Sequence, residues 1–225
     1  LIPQVKESKL WKELATLYWE THLVWQHKAM TELSKAEDKA KDVVLESAEK
    51  MMEYAEKAKE VIDEYDLDDM KGGAYRFLGR AATYMGDHDK AKEYYEEAIS
   101  RYEGKNEKSK LEVGAFLAES LVRMGQAENG LKMAKKIFED FYNSKLGKET
   151  KEEDYFVWAV WMSGIMPRIA NALIETGQEF DKEELKDLLK KTKEELENPS
   201  GEVTWGDDKF EFRIDEIDTA LKKLK

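Results

Sequence analysis

The chain has no cysteine, which excludes disulfides, thiolate metal sites and a cysteine nucleophile. It has only 3 prolines and 13 glycines in 225 residues, so few positions force a helix to stop. Histidine is confined to His22, His27 and His88. His22 and His27 are five positions apart and point to different sides of a helix, whereas two metal ligands on one helix are spaced by about four. Positive charge is in deficit as well. The 37 Lys and Arg are outnumbered by 49 Asp and Glu, giving a net charge of −12. That argues against nucleic acid as the partner, because binding phosphates requires a basic surface. The sequence contains no phosphate loop, dinucleotide fingerprint or Gly-x-Ser-x-Gly elbow, so no catalytic residue, cofactor or metal is assigned and the chain reads as a non-enzyme.

Other features also read as structure more readily than as chemistry. The most apolar stretch, 155–174, is interrupted by Pro167, Arg168 and Asn171 and reads as a buried helix, not a membrane span. The acidic run 63–69 lacks the glycine and closing glutamate of a calcium loop and reads as a solvated linker. Lack of cysteine leaves the compartment open, with the cytoplasm favoured. The first residue is Leu1 and not Met, as expected of a processed product or a piece of a longer protein, so a missing leader peptide excludes nothing.

Helical periodicity runs through most of the chain. Over 8–33, Leu10, Leu14, Leu17 and Val24 form one apolar stripe and Trp11, Tyr18 and Trp25 a second, predicting a long helix with a broad apolar face. Ser34 and Glu37 have the spacing of a capping box, a break and restart. Over 36–65, Val44, Ala48, Met51, Ala55, Ala58, Ile62 and Tyr65 alternate four and three apart, a seam that should lie antiparallel against the first helix. A glycine-ended linker is expected over 66–73, followed by helices over 74–85 and 89–102, a connection at 104–109, and helices over 111–124 and 127–142. A polar loop is expected over 143–151. A long helix over 152–175, kinked at Pro167, and another from Asp181 should follow. For the tail, a β-hairpin over 203–212 competes with a terminal helix carrying Phe210, Ile214, Ile217, Leu221 and Leu224; the helix is favoured as a cap.

Residues 72–104 contain Tyr75, Leu78, Gly79, Ala82, Gly86, Ala91, Tyr95 and Ala98 at the spacings of a two-helix unit. This segment resembles a tetratricopeptide (TPR) repeat, a helix–turn–helix unit of about 34 residues that stacks on copies of itself. Met124-Gly125, with Leu117 and Ala118 before them, echoes Met85-Gly86, Leu78 and Gly79, and Gly130 stands where Ala91 does. The proline that often closes the family's repeat is replaced by Glu103. The resemblance implies an all-α, antiparallel helix-hairpin solenoid, a right-handed superhelix with unusually long N-terminal helices. The expected organisation is a long hairpin over 1–70, TPR-like repeats over 71–198, clearest at 72–105, and a capping helix over 199–225. His88 would take the place of an aromatic that packs in the family's turn.

TPR arrays bind proteins or peptides through the concave face lined by the first helix of each hairpin, and that function is expected here. Arginine is scarce, and four of the six arginines, Arg76, Arg80, Arg123 and Arg168, fall on first helices, with Asn171 close by. Their positions resemble those at which family members hold a peptide's terminal carboxylate. An arginine fork makes two hydrogen bonds to a carboxylate, which lysine does not. The alternative for these arginines is an internal ion pair, with Glu119 within reach. Trp158 and Trp161 are core residues by default, or groove anchors. For the whole chain the alternatives are an assembly module that self-associates through the Trp11/Tyr18/Trp25 face, or the regulatory domain of a larger signalling protein.

Overall fold

The computed structural model describes residues 10–33, 38–197 and 210–224. Among them the chain is all-α, with one 3-10 turn and no strand. The helices group into two compact units, 1–106 and 107–225, which divide within the connection expected at 104–109.

The first unit contains α1 (Trp11–Leu33), α2 (Asp38–Glu64), a 3-10 turn (Asp68–Met70), α3 (Lys71–Tyr84) and α4 (His88–Tyr102). The Trp11 ring stacks on Tyr65 at 3.8 Å, Tyr18 meets Tyr54 at 6.2 Å, and His22 reaches the Met51 carbonyl. Rising numbers on α1 therefore meet falling numbers on α2, so the pair is antiparallel. The α2 seam is buried at Val44, Ala48, Met51, Ala55, Ala58 and Ile62. Its alanines let the bulky side chains of α1 lie close, and the close packing recovers dispersion that a looser seam would lose.

The apolar face of α1 is not a simple stripe. Leu14 is fully buried, but Leu10 and Val24 are exposed, Val24 at 67%. Full burial falls instead on Ala15, His22 and Ala29, with Trp19 half-buried against Phe77, because α1 must cover α2 and α3 together.

Of the segment expected to be a linker, 66–73, the first part is a connection with the 3-10 turn, and 71–73 form the start of α3. Gly72 and Gly73 are buried helical residues. Each lies against an aromatic ring, so a Cβ on either would come within 2.6 Å of Tyr102 or Trp19. The acidic run before it is clamped by lysines: Lys12 pairs with Asp69, Lys105 with Asp68, and Lys71 with Asp66 and Asp68. α3 is antiparallel to α2, with Lys59 over Tyr75 and Phe77 and Leu78 against Ala55, and therefore runs in the direction of α1. α4 returns antiparallel to α3, placing Tyr102 at Gly72 and Tyr95 at Gly79. The turn between them uses Gly86 at φ 77°, a left-handed conformation that glycine adopts without penalty. Asp87 then caps α4 by accepting from the Lys90 amide at 3.1 Å.

The second unit contains α5 (Glu107–Arg123), α6 (Ala127–Asn143), α7 (Lys145–Glu153), α8 (Tyr155–Ser163), α9 (Ile165–Thr176), α10 (Lys182–Glu197) and α11 (Glu211–Lys223). α5 and α6 form an antiparallel hairpin, with Gly114 against Ile137 and Gly130 against Ala118 and Val122. The stretch expected to be a polar loop is the helix α7. Ser144 caps it by accepting from the Gly147 amide at 2.9 Å, and Gly147 is buried against the backbone of Asp140 and Phe141.

The long apolar helix is interrupted at Gly164, upstream of Pro167. A proline removes the donor that would bond the carbonyl four residues back, which is Ser163, so the break belongs there. Pro167 itself sits in the first turn of α9, where no donor is needed. Asp181 caps α10 through the Glu183 and Glu184 amides, both at 3.0 Å. At the tail the helix forms over Glu211–Lys223. Residues 203–209 of the competing hairpin, and the capping box at 34 and 37, lie outside the described residues.

Candidate functional site

In the first unit, α3 carries Arg76 and Arg80 one turn apart on the same side. The Arg76 guanidinium lies 5.0 Å from the centre of the Phe77 ring, and that of Arg80 lies 5.1 Å from Tyr84. Arg80 is only 7% exposed, and its Nη2 donates to the Tyr84 hydroxyl at 3.4 Å. The same side of α1 supplies Trp19 and His22. Trp19 stacks on Phe77 at 5.2 Å, and His22 meets it edge-on at 4.7 Å. Two helices thus place two cations over an aromatic floor, in contacts worth about 0.5–2 kcal/mol each according to burial.

In the second unit, Arg123 and Arg168 both converge on Glu119, which is 6% exposed. Arg123 Nε donates to Glu119 Oε1 at 3.1 Å and its Nη1 to Glu175 Oε2 at 2.7 Å. Arg168 Nε lies 3.7 Å from Glu119 Oε2, with its guanidinium 4.9 Å from the Phe116 ring. Burial would lower the Arg123 pKa, but Glu119 and Glu175 outweigh it and raise the value, so the charge is permanent. The internal pairing weighed for these arginines is formed here. Asn171 accepts from Lys223 on α11 at 3.4 Å. Arg213, only 6% exposed, pairs with Glu216. Its Nη2 and the Arg168 Nη1 both abut Gly164, where a Cβ would come within 3.0 Å and 2.4 Å of them.

The sequence-predicted residues therefore occur as two sets, Arg76 with Arg80 and Arg123 with Arg168, while Asn171 is engaged by Lys223. Glu175 and Arg213 were missed. Glu175 is 52 positions from Arg123, a distance no helical period relates, and Arg213 sits in the ambiguous tail. Trp158 is a core residue, fully buried, with its indole N–H donated to the Phe141 carbonyl at 2.9 Å. Trp161 is half-buried.

Of the histidines, His27 is exposed and His88 opens α4. His22 is fully buried. Among the described residues no group of three His, Cys, Asp or Glu side chains is placed to hold a metal ion. One stretch, Tyr155–Thr176, is long and apolar enough to cross a membrane, and 67% of its most apolar window is buried inside the protein.

Comparison of the sequence with protein-family models and with curated proteins gives no match.

Proposed function

We propose that the chain is a TPR-like helical-repeat scaffold without catalytic activity, which recognises a protein or peptide through the face formed by the first helices of its hairpins. The observation that carries this reading is the direction of those helices. α1 and α3 run the same way, each turned back by the helix that follows. In the second unit Arg168 and Glu175 of α9 meet Glu119 and Arg123 of α5 in ascending order, so these helices are parallel too. Parallel first helices in each unit are what such a face requires, and four of the six arginines lie on them. The ligand chemistry that suits them is a carboxylate, from an acidic side chain or a C-terminus, with Arg76 and Arg80 as the contacting groups in the first unit and Arg123, Arg168 and Asn171 in the second. At Arg123 and Arg168 a ligand carboxylate would compete with Glu119.

The test is a peptide library displayed with free and with amidated C-termini, read by fluorescence polarisation. Selection of free-carboxylate peptides supports the reading, and a library that selects nothing removes it.

A second reading, self-assembly through the first hairpin, is favoured by the exposure of Leu10 (47%), Val24 (67%) and Leu45 (47%). The aromatic stripe offers it less, since Trp11 and Tyr18 are spent on Tyr65 and Tyr54. A mass that rises with concentration by sedimentation, and that Val24→Lys returns to the monomer, would put assembly ahead of peptide binding.

A further inference from the structure

We infer that the first unit carries an acid-operated latch, in which protonation of His22 releases the α1–α2 hairpin from α3 while the second unit keeps its packing. All three histidines of the chain fall within residues 1–106, and of these only His22 is fully buried. It sits where α1, α2 and α3 meet. Its Nδ1 is 2.9 Å from the Met51 carbonyl oxygen of α2. A carbonyl only accepts, so the ring proton is on Nδ1 and Nε2 is a bare lone pair. Nε2 is buried and makes no hydrogen bond of good geometry, with the Gln26 side chain the polar group nearest to serve it. From α3 the ring faces Phe77 and the positive charges of Arg80 and Arg76; from α1 it faces the neutral amide of Gln26.

A second proton must land on Nε2. It would create an imidazolium in a dry site beside two guanidinium groups, and burying an uncompensated charge is among the costliest changes a core can suffer. Burial lowers the His22 pKa to about 4, opposed by the Met51 carbonyl and, least, by the Gln26 side chain, and reinforced by Arg80 and Arg76. The folded value lies below the unfolded one, so the opened state takes the proton first. The packing is at full strength above about pH 6.5 and weakens as pH falls toward about 4. Three acids of this unit that pair with lysines are held below the usual carboxylate range. Glu53 is held low by Lys50 and Lys57, Asp68 by Lys105, and Asp69 by Lys12.

The experiment is hydrogen exchange on the full chain at about pH 7 and about pH 4.5, corrected for the intrinsic exchange rate. Protection of α1–α3 amides should fall by roughly fiftyfold, the ratio expected from these two pKa values, while that of α5, α6 and α9 holds. His22→Asn keeps an N–H donor for Met51 but cannot take a proton, and should abolish the difference. Equal loss in both units, or a pH dependence that survives in His22→Asn, overturns the inference. If that variant does not fold, NMR titration of the His22 ring in the unaltered protein decides: a midpoint near 4 upholds the latch and one near 6.5 overturns it.

Discussion

The ring of Tyr95 lies so close over Gly79 that a Cβ at position 79 would come within 2.4 Å of it. Tyr95 is fully buried, and its hydroxyl is tied to Thr83 Oγ1 at 2.8 Å, so the ring cannot swing aside without losing that bond. Gly79→Ala gains about 1 kcal/mol of helix propensity and loses about 1–3 kcal/mol to overpacking. The expected outcome is a net loss of stability by urea unfolding. A gain would mean that α3 and α4 separate more easily than their contacts indicate.

Ala91 lies on the other helix of this hairpin and is also fully buried. Ala91→Trp introduces a volume that no neighbour can vacate, and should cost about 1–3 kcal/mol or more. The check is the thermal midpoint. A midpoint that hardly moves would place Ala91 outside the α3–α4 contact.

Glu119 and Glu175 both hold Arg123, but only Glu119 is buried; the Glu175 side chain is 53% exposed. Glu119→Gln removes the charge that Arg123 and Arg168 share and should destabilise the second unit by about 1–3 kcal/mol. Glu175→Gln should cost less than about 1 kcal/mol, because solvent screens an exposed pair. Chemical denaturation of the two variants in parallel checks the order, and equal effects would mean that Glu119 holds the arginines no more firmly than a surface residue.

The all-helical class was legible because apolar residues recur at helical spacing through both units, and the α2 seam was legible at every position but Tyr65, which lies past the helix end and is half-buried. Arg123 and Glu119 are one turn apart on one helix, so their pairing was within reach of the sequence. Other features depend on tertiary neighbours. Gly72 and Gly73 read as linker residues, since nothing in their local pattern shows that Tyr102 and Trp19 need the space a side chain would fill. α7 is short and polar and starts on a side-chain cap at Ser144, so its composition matches a loop. Val24 continues an apolar stripe by period yet faces outward, because α1 turns its buried side toward two helices at once. The burial of His22 is set by Met51 and Phe77, which lie 29 and 55 positions away.

Arg76 and Arg80 test the proposed peptide-binding function most directly, because replacing them leaves the Glu119 pairs untouched. A charge-assisted contact contributes roughly 1.5–3 kcal/mol when partly desolvated. Replacing both arginines by alanine should weaken a carboxylate-bearing ligand at least tenfold, since about 1.4 kcal/mol is a factor of ten. Arg→Lys at the same positions should not restore binding, because an ammonium cannot make the forked contact. Affinity for the unaltered protein should fall with added salt, as the remaining exposure admits screening. Arg80 is nearly buried against Tyr84, so its removal also opens space in the fold. Stability is therefore measured alongside affinity, and Arg76→Ala alone, at a half-buried position, separates the two effects. Unchanged affinity in a folded double variant would assign both arginines to the packing of α3 and leave self-assembly as the better account of the chain.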